Sequence, residues 1–197
     1  NNNNRKPAAS DNNNNNITPA PFKFNITEPV VSFYRKIIKQ YEKDFPGATP
    51  LVVACEKGNL EDVKKIVRGL EENSYNKAFV NQVGKDSGGY DRTPLMTAAW
   101  NEHFQIVEYL IEECGADPNI ADSIGWNALH YAAWKNRTNT ELIQLLLTHM
   151  SLNSINKKSR AGITPLDYAC KYNDSPIRQE IIALLRSKGG KANEYDE

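Results

Sequence analysis

Four stretches built on one plan govern what this chain can fold into. "TPLVVAC" begins at Thr49, "TPLMTAAW" at Thr93, "NALHYAAW" at Asn127 and "TPLDYACK" at Thr164, so the starts lie 44, 34 and 37 residues apart. Each is followed by a second apolar patch: "LEDVKKIV", "FQIVEYLI", "ELIQLLL" and "EIIALLR". Three of the units then reach a small or polar stretch that ends in asparagine, at Asn119, Asn156 and Asn193, and the first reaches Asn81 after a longer detour. Self-similarity at such intervals predicts a stack of units, each too small to bury its own apolar face and each covered by its neighbours.

The physics of one unit is legible at Arg92–Asn119. Threonine is a good helix N-cap and proline tolerates the first helical position, so Thr93-Pro94 starts a helix. Leu95, Ala98 and Ala99 give that helix a face of small residues, which lets a neighbouring helix approach closely. Phe104, Ile106, Val107, Leu110 and Ile111 then form the stripe of a second amphipathic helix, and Gly115 is placed to end it as a C-cap.

Upstream, residues 1–25 contain the runs Asn1–Asn4 and Asn12–Asn16 and hold too little apolar surface to offset the entropy of ordering, so a disordered tail is expected. Over 26–47, Val30, Phe33, Tyr34, Ile37, Ile38, Tyr41 and Phe45 recur at intervals of three and four, which predicts an amphipathic helix. It is read as a cover for the open end of the stack that runs from residue 48 to 197. The chain ends at "NEYDE", where a next hairpin would begin, so the array is expected either to continue or to leave an open face there.

This pattern resembles the ankyrin repeat, whose unit of about 33 residues carries a T-P-L-H-x-A signature. The resemblance implies an all-α solenoid of stacked helix-turn-helix units joined by short hairpin loops. It also implies that the histidine of the signature braces the hairpin. Here only His130 keeps that histidine, with Val52, Met96 and Asp167 at the matching places. The glycine usual between the two helices survives only as Gly58, with Glu102, Asn136 and Asn173 near it in the other units. "NRTNT" and "NDSPIRQ" read as long inter-helix turns. Hairpin asparagines are hydroxylated in some members, and Asn119 in "GADPN" matches that position.

A search for chemistry finds little. The sequence has no H-E-x-x-H, G-x-S-x-G, P-loop or G-x-G-x-x-G pattern, so no enzyme, cofactor or metal site is expected. His103, His130 and His149 read as structural, and Cys55 and Cys170 as small buried hydrophobes. Cys114 falls in a turn, no C-x-x-C occurs, and three scattered cysteines suit a reducing compartment, cytoplasmic or nuclear. Lys plus Arg and Asp plus Glu both number 24, a balance that argues against nucleic acid as the partner. With no run of 18 apolar residues, membrane insertion is not expected.

What remains is binding. By resemblance, the two residues after each small pair turn toward a concave groove, and the residue before each Thr-Pro borders it. Those columns hold Trp100, Trp134 and Tyr172 on the helices and Arg92 and Trp126 by the hairpins, with Tyr90 and Ile124 on the same finger surface. All three tryptophans of the chain fall in these columns. Large aromatics and arginine dominate binding hot spots, so these seven residues are the expected contact set for another protein. On this reading the tryptophans point into the groove and have little packing to lose. Two alternatives stay open: the tryptophans only pack hairpins against helices, or the module is a regulatory or spacer segment of a larger protein.

Overall fold

Pro50, Pro94 and Pro165 each occupy the first turn of a helix, where a missing N–H costs nothing. The computed structural model describes residues 49–71, 79–135, 140–171 and 175–193, with isolated positions Lys36, Gln40, Lys43 and Asp44 before them. The expected tail over 1–25 lies outside the described residues, as does almost all of the expected helix over 26–47; its four described positions are helical and exposed.

The inner helices are α1 (Pro50–Lys57), α3 (Pro94–Trp100), α5 (Ala128–Lys135) and α8 (Pro165–Lys171). The outer helices are α2 (Leu60–Glu71), α4 (Phe104–Glu108, continued by a π-helical turn over Tyr109–Glu113), α6 (Glu141–His149) and α9 (Pro176–Ser187). A short helix α7 (Leu152–Ile155) stands in the polar stretch that precedes Asn156. Each inner helix packs on the next, and each outer helix packs on its own inner helix and on its outer neighbours. The small pairs make this possible: Ala54, Cys55, Ala98, Ala99, Ala132 and Ala133 have no exposed surface. Behind them Ile106, Leu110, Ile143, Leu146, Ile181 and Leu185 close the core from the outer layer.

The caps explain how unlike residues serve one position. Thr93 accepts the Met96 N–H at 3.2 Å while the Met96 sulfur faces the Thr93 N–H at 3.4 Å. Asn127 accepts the His130 N–H at 3.2 Å, and His130 Nδ1 accepts the Asn127 N–H at 3.2 Å. Thr164 and Asp167 repeat the exchange at 3.2 and 2.7 Å. Three chemistries thus close the same reciprocal capping box. His130 also donates from Nε2 to the Ile163 carbonyl at 3.3 Å, the hairpin brace expected of it. Thr49 makes no such bond, and Val52 at its fourth position has nothing to offer in return.

The terminal asparagines run a ladder along the stack. The side-chain oxygens of Asn81, Asn119 and Asn156 accept the N–H groups of Asp117, Ser151 and Lys191, each in the following unit, at 2.7–2.9 Å. Gly115 takes the left-handed conformation (φ 68°) and the Ala116 N–H reaches back to the Leu110 carbonyl at 2.7 Å, the expected C-cap. Gly58 is left-handed between α1 and α2, and Glu102 adopts the same conformation (φ 59°) between α3 and α4 without being glycine. "NDSPIRQ" is not a long turn throughout: Ser175 caps α9 by accepting the Arg178 N–H, and the helix is under way at Pro176. Asn136–Asn139, the heart of "NRTNT", lie outside the described residues.

Candidate protein-docking surface

Three tight hairpins rise between the units, and one rule builds them. In "DSGGY", "DSIGW" and "SRAGI" the first residue donates its N–H to the carbonyl of the fifth, at 3.0, 2.8 and 2.9 Å. The side chain of Asp86, Asp122 or Ser159 accepts the N–H of that fifth residue in return, at 3.0, 2.8 and 3.2 Å. Gly89, Gly125 and Gly162 supply the positive φ that the turn requires.

This frame corrects one column of the expected contact set. Counting back from Thr-Pro pairs Arg92 with Trp126. The hairpin bonds pair Tyr90 with Trp126 and Ile163, because the first hairpin has two more residues in its stem, β1 (Gly84–Lys85) opposite β2 (Asp91–Arg92). Tyr90 stands 62% exposed at that tip and Ile124 44% exposed at the next.

Arg92 is buried. Its guanidinium pairs with Asp86 Oδ2 at 2.5 Å and lies over the rings of Tyr131, Tyr90 and Trp100 at 4.5, 4.9 and 5.1 Å. The second hairpin puts a phenol where the first puts a guanidinium: Tyr131 donates to Asp122 Oδ2 at 2.6 Å. Burial raises the Tyr131 phenol above its ordinary range, with the Asp122 carboxylate adding to the rise.

The tryptophans meet one another. Trp100 and Trp134 stand edge to face at 5.0 Å, and Trp134 and Trp126 do so at 5.2 Å. Tyr168 on α8 closes the group, 4.6 Å from Trp126 and stacked on Trp134 at 5.9 Å. Trp100 and Trp134 remain half-exposed, whereas Trp126 is only 8% exposed. The expectation that all three have little packing to lose therefore does not hold for Trp126, whose ring is covered by Tyr131, Trp134 and Tyr168. Tyr172 lies outside the described residues. Tyr131 and Tyr168, outside the expected contact set, both sit at the fifth position of the signature, one residue past the histidine column.

The histidines bond as structural groups. His103 Nε2 faces the Glu56 carbonyl at 3.1 Å, His130 braces its hairpin, and His149 meets Glu112 at 2.9 Å on the outer layer. Burial lowers the His130 pKa to about 4, against the pull of its bond to Ile163 and the charge of Asp122. Arg178 repeats the role of His103 two units on: it is fully buried and donates to the carbonyls of Ala133 and Trp134 at the end of α5. Burial pushes the thiols of Cys55 and Cys170 up, so both resist ionisation. Among the described residues no three His, Cys, Asp or Glu side chains group to hold a metal ion, and no helix is long and apolar enough to cross a membrane.

Known proteins share this plan. Rabankyrin-5 of Mus musculus is 28% identical over 145 residues, which is 73% of this chain and 12% of that protein. Ankyrin repeat and SAM domain-containing protein 6 of Mus musculus is 31% identical over 135 residues, 68% of this chain and 13% of that protein. NAD-dependent deacetylase sir2B of Dictyostelium discoideum is 28% identical over 114 residues, 57% and 14% respectively. The chain thus spans a small fraction, 12–14%, of the length of these relatives. The family model for ankyrin repeats in three copies matches residues 28–122 and 114–196. With its stacked helix pairs and bonded hairpins, the chain belongs to the ankyrin-repeat family, a non-catalytic fold that serves as a protein-binding module.

Proposed function

We propose that the side formed by the hairpin tips and the ends of the inner helices is a groove that docks another protein. The observation that carries this reading is the pairing of exposed apolar tips, Tyr90 and Ile124, with the half-exposed edge-to-face rings of Trp100 and Trp134. Rigid aromatic area of this kind costs little rotamer entropy on binding. Trp126 and Arg92 act from beneath, holding the rings that the partner touches. No cofactor enters this function. The protein works in the cytoplasm or nucleus, in keeping with three free cysteines.

A second reading is favoured by the length of the relatives: the groove meets another part of a larger protein to which the module belongs. A pull-down with intact protein and with the Trp100→Ala/Trp134→Ala variant tests the first reading. Loss of a captured partner, with on the order of 2 kcal/mol lost per hot spot by calorimetry, is the expected result. Equal capture by both proteins, each shown folded by circular dichroism, would overturn it.

A further inference from the structure

The charges of this chain cancel in number but not in space. Along the tips and the inner-helix ends lie Lys135, Lys158 and Arg160, all exposed. Apart from Asp91, the acidic groups on that side are less exposed than these cations: Glu56, Glu102 and Asp122 are partly buried and Asp86 is buried. Glu56 accepts the N–H and hydroxyl of Ser87, Asp86 holds Arg92, and Asp122 holds Tyr131. Lys85 and Asp91 face each other across the first hairpin and offset one another. The outer layer has the opposite bias, with exposed Glu108, Glu112, Glu113, Glu141 and Glu180. There Lys64 and Lys65 lie 3.5 and 3.6 Å from Glu61 and Asp62.

The cations also stand beside apolar surface. Lys135 Nζ lies 5.1 Å from the centre of the half-exposed Trp100 ring. Arg160 donates its backbone N–H to the Ile124 carbonyl at 2.9 Å, so an exposed cation and an exposed apolar residue stand on bonded backbones of neighbouring tips. A partner that covers Trp100 with a purely apolar group would strip water from Lys135 and give nothing back, which is costly for a charge. A basic partner would add repulsion. A carboxylate next to a large apolar side chain satisfies both groups at once, at two separate places.

We infer that the occupant of this groove is an acidic protein segment in which large apolar side chains alternate with carboxylates. This rests on the docking reading above and gives it a partner chemistry.

The test is a selection of random 12-residue peptides displayed on phage against the whole protein at physiological salt. The commonest enriched peptide is then labelled with fluorescein and measured by anisotropy. The expected result is joint enrichment of Asp or Glu with Phe, Trp or Leu at neighbouring positions. Affinity should fall at least tenfold in Lys135→Glu/Arg160→Glu, and likewise in Trp100→Ala/Trp134→Ala. Should the tryptophan pair disturb folding by circular dichroism, Tyr90→Ala/Ile124→Ala, at the exposed tips, takes its place. Neutral or basic peptides that need the aromatic residues but ignore the charge reversal would overturn the acidic chemistry and leave the groove standing. Peptides that bind all variants alike, or no enrichment at all, would overturn the groove reading itself. A labelled dT20 oligonucleotide that binds more tightly than any peptide would replace the acidic segment with nucleic acid and so overturn the inference.

Discussion

The hairpins at Asp86–Tyr90 and Asp122–Trp126 share a frame to within a few tenths of an ångström in their closing bonds, yet they do opposite things with their aromatic residue. The first holds Tyr90 out to solvent and buries a cation below it. The second buries Trp126 and has no cation; its aspartate is matched to a tyrosine hydroxyl. The frame depends on an aspartate and a glycine within the hairpin. Exposure depends on neighbours: Tyr131, Trp134 and Tyr168 surround Trp126, while the two extra stem residues lift Tyr90 clear. The same local grammar therefore yields a contact residue in one unit and a core residue in the next.

The sharpest way to break this comparison is to truncate both aromatics. Trp126→Ala removes a ring packed on four others and should cost about 3–5 kcal/mol in denaturant unfolding, the range for large core truncations. Tyr90→Ala loses only an exposed ring over the Arg92 guanidinium and should cost about 0.5–1 kcal/mol. Equal costs would show that exposure at the tip does not separate the two roles. The aspartates come next. Asp86→Ala strands a buried guanidinium and should cost about 3–5 kcal/mol. Asp122→Ala strands a phenol and the N–H groups of Ile124 and Trp126 but no charge, and should cost about 1–3 kcal/mol. Thermal melts of the two variants give the order, and a larger loss at Asp122 would reverse the assignment of roles.

The units were legible in the sequence because their signals are local. Thr-Pro marks a helix start, an alanine pair marks close approach, and asparagine recurs at the same step of each unit; all of these hold within a few residues. The hairpin register does not follow from Thr-Pro, because the glycine, and not the helix start, sets the turn. Gly89, Gly125 and Gly162, each three residues after Asp or Ser, were the available signal. The burial of Trp126 could not be read at all, since it is made by rings from two units and a neighbouring helix face. Arg178 is similar: it falls in the expected turn "NDSPIRQ", and only the fold brings it to the carbonyls of Ala133 and Trp134.

Acid should then separate the two hairpins by charge. His130 stacks beside Trp126 at 5.9 Å, whereas the matching position beside the first hairpin is Met96, which does not titrate. The folded pKa of His130, about 4, lies below its ordinary value of 6.5. Neutral His130 is thus preferred by the folded state, and its contribution is whole above pH 6.5 and lost as pH falls toward 4. The linked loss is about 3 kcal/mol across that window. His130→Gln should flatten that part of the stability profile measured by urea unfolding. An unchanged slope would mean that the imidazole accepts a proton in place.

The smallest effects come from the turn glycines, and they separate frame from neighbourhood most directly. Gly89 (φ 79°) and Gly125 (φ 83°) hold the same left-handed conformation in the two hairpins. A Cβ added at Gly89 would meet nothing within 4 Å, so Gly89→Ala carries only the backbone penalty. That penalty, roughly 1–2 kcal/mol, is partly offset by the stiffer unfolded chain, leaving about 1 kcal/mol. A Cβ at Gly125 would stand 3.1 Å from Ser159 Cα and 3.3 Å from the Arg160 nitrogen, both backbone atoms of the next hairpin. Gly125→Ala should therefore cost about 1 kcal/mol more than Gly89→Ala, since the two tips would have to move apart. The excess is the part that belongs to the stack rather than to the turn. It should vanish in a Gly125→D-Ala protein only if the D-residue's Cβ points away from Ser159, which semisynthesis and calorimetric unfolding can check. If the two L-alanine variants instead lose equal stability, the second and third hairpins do not lean on each other, and the burial of Trp126 must rest on its ring contacts alone.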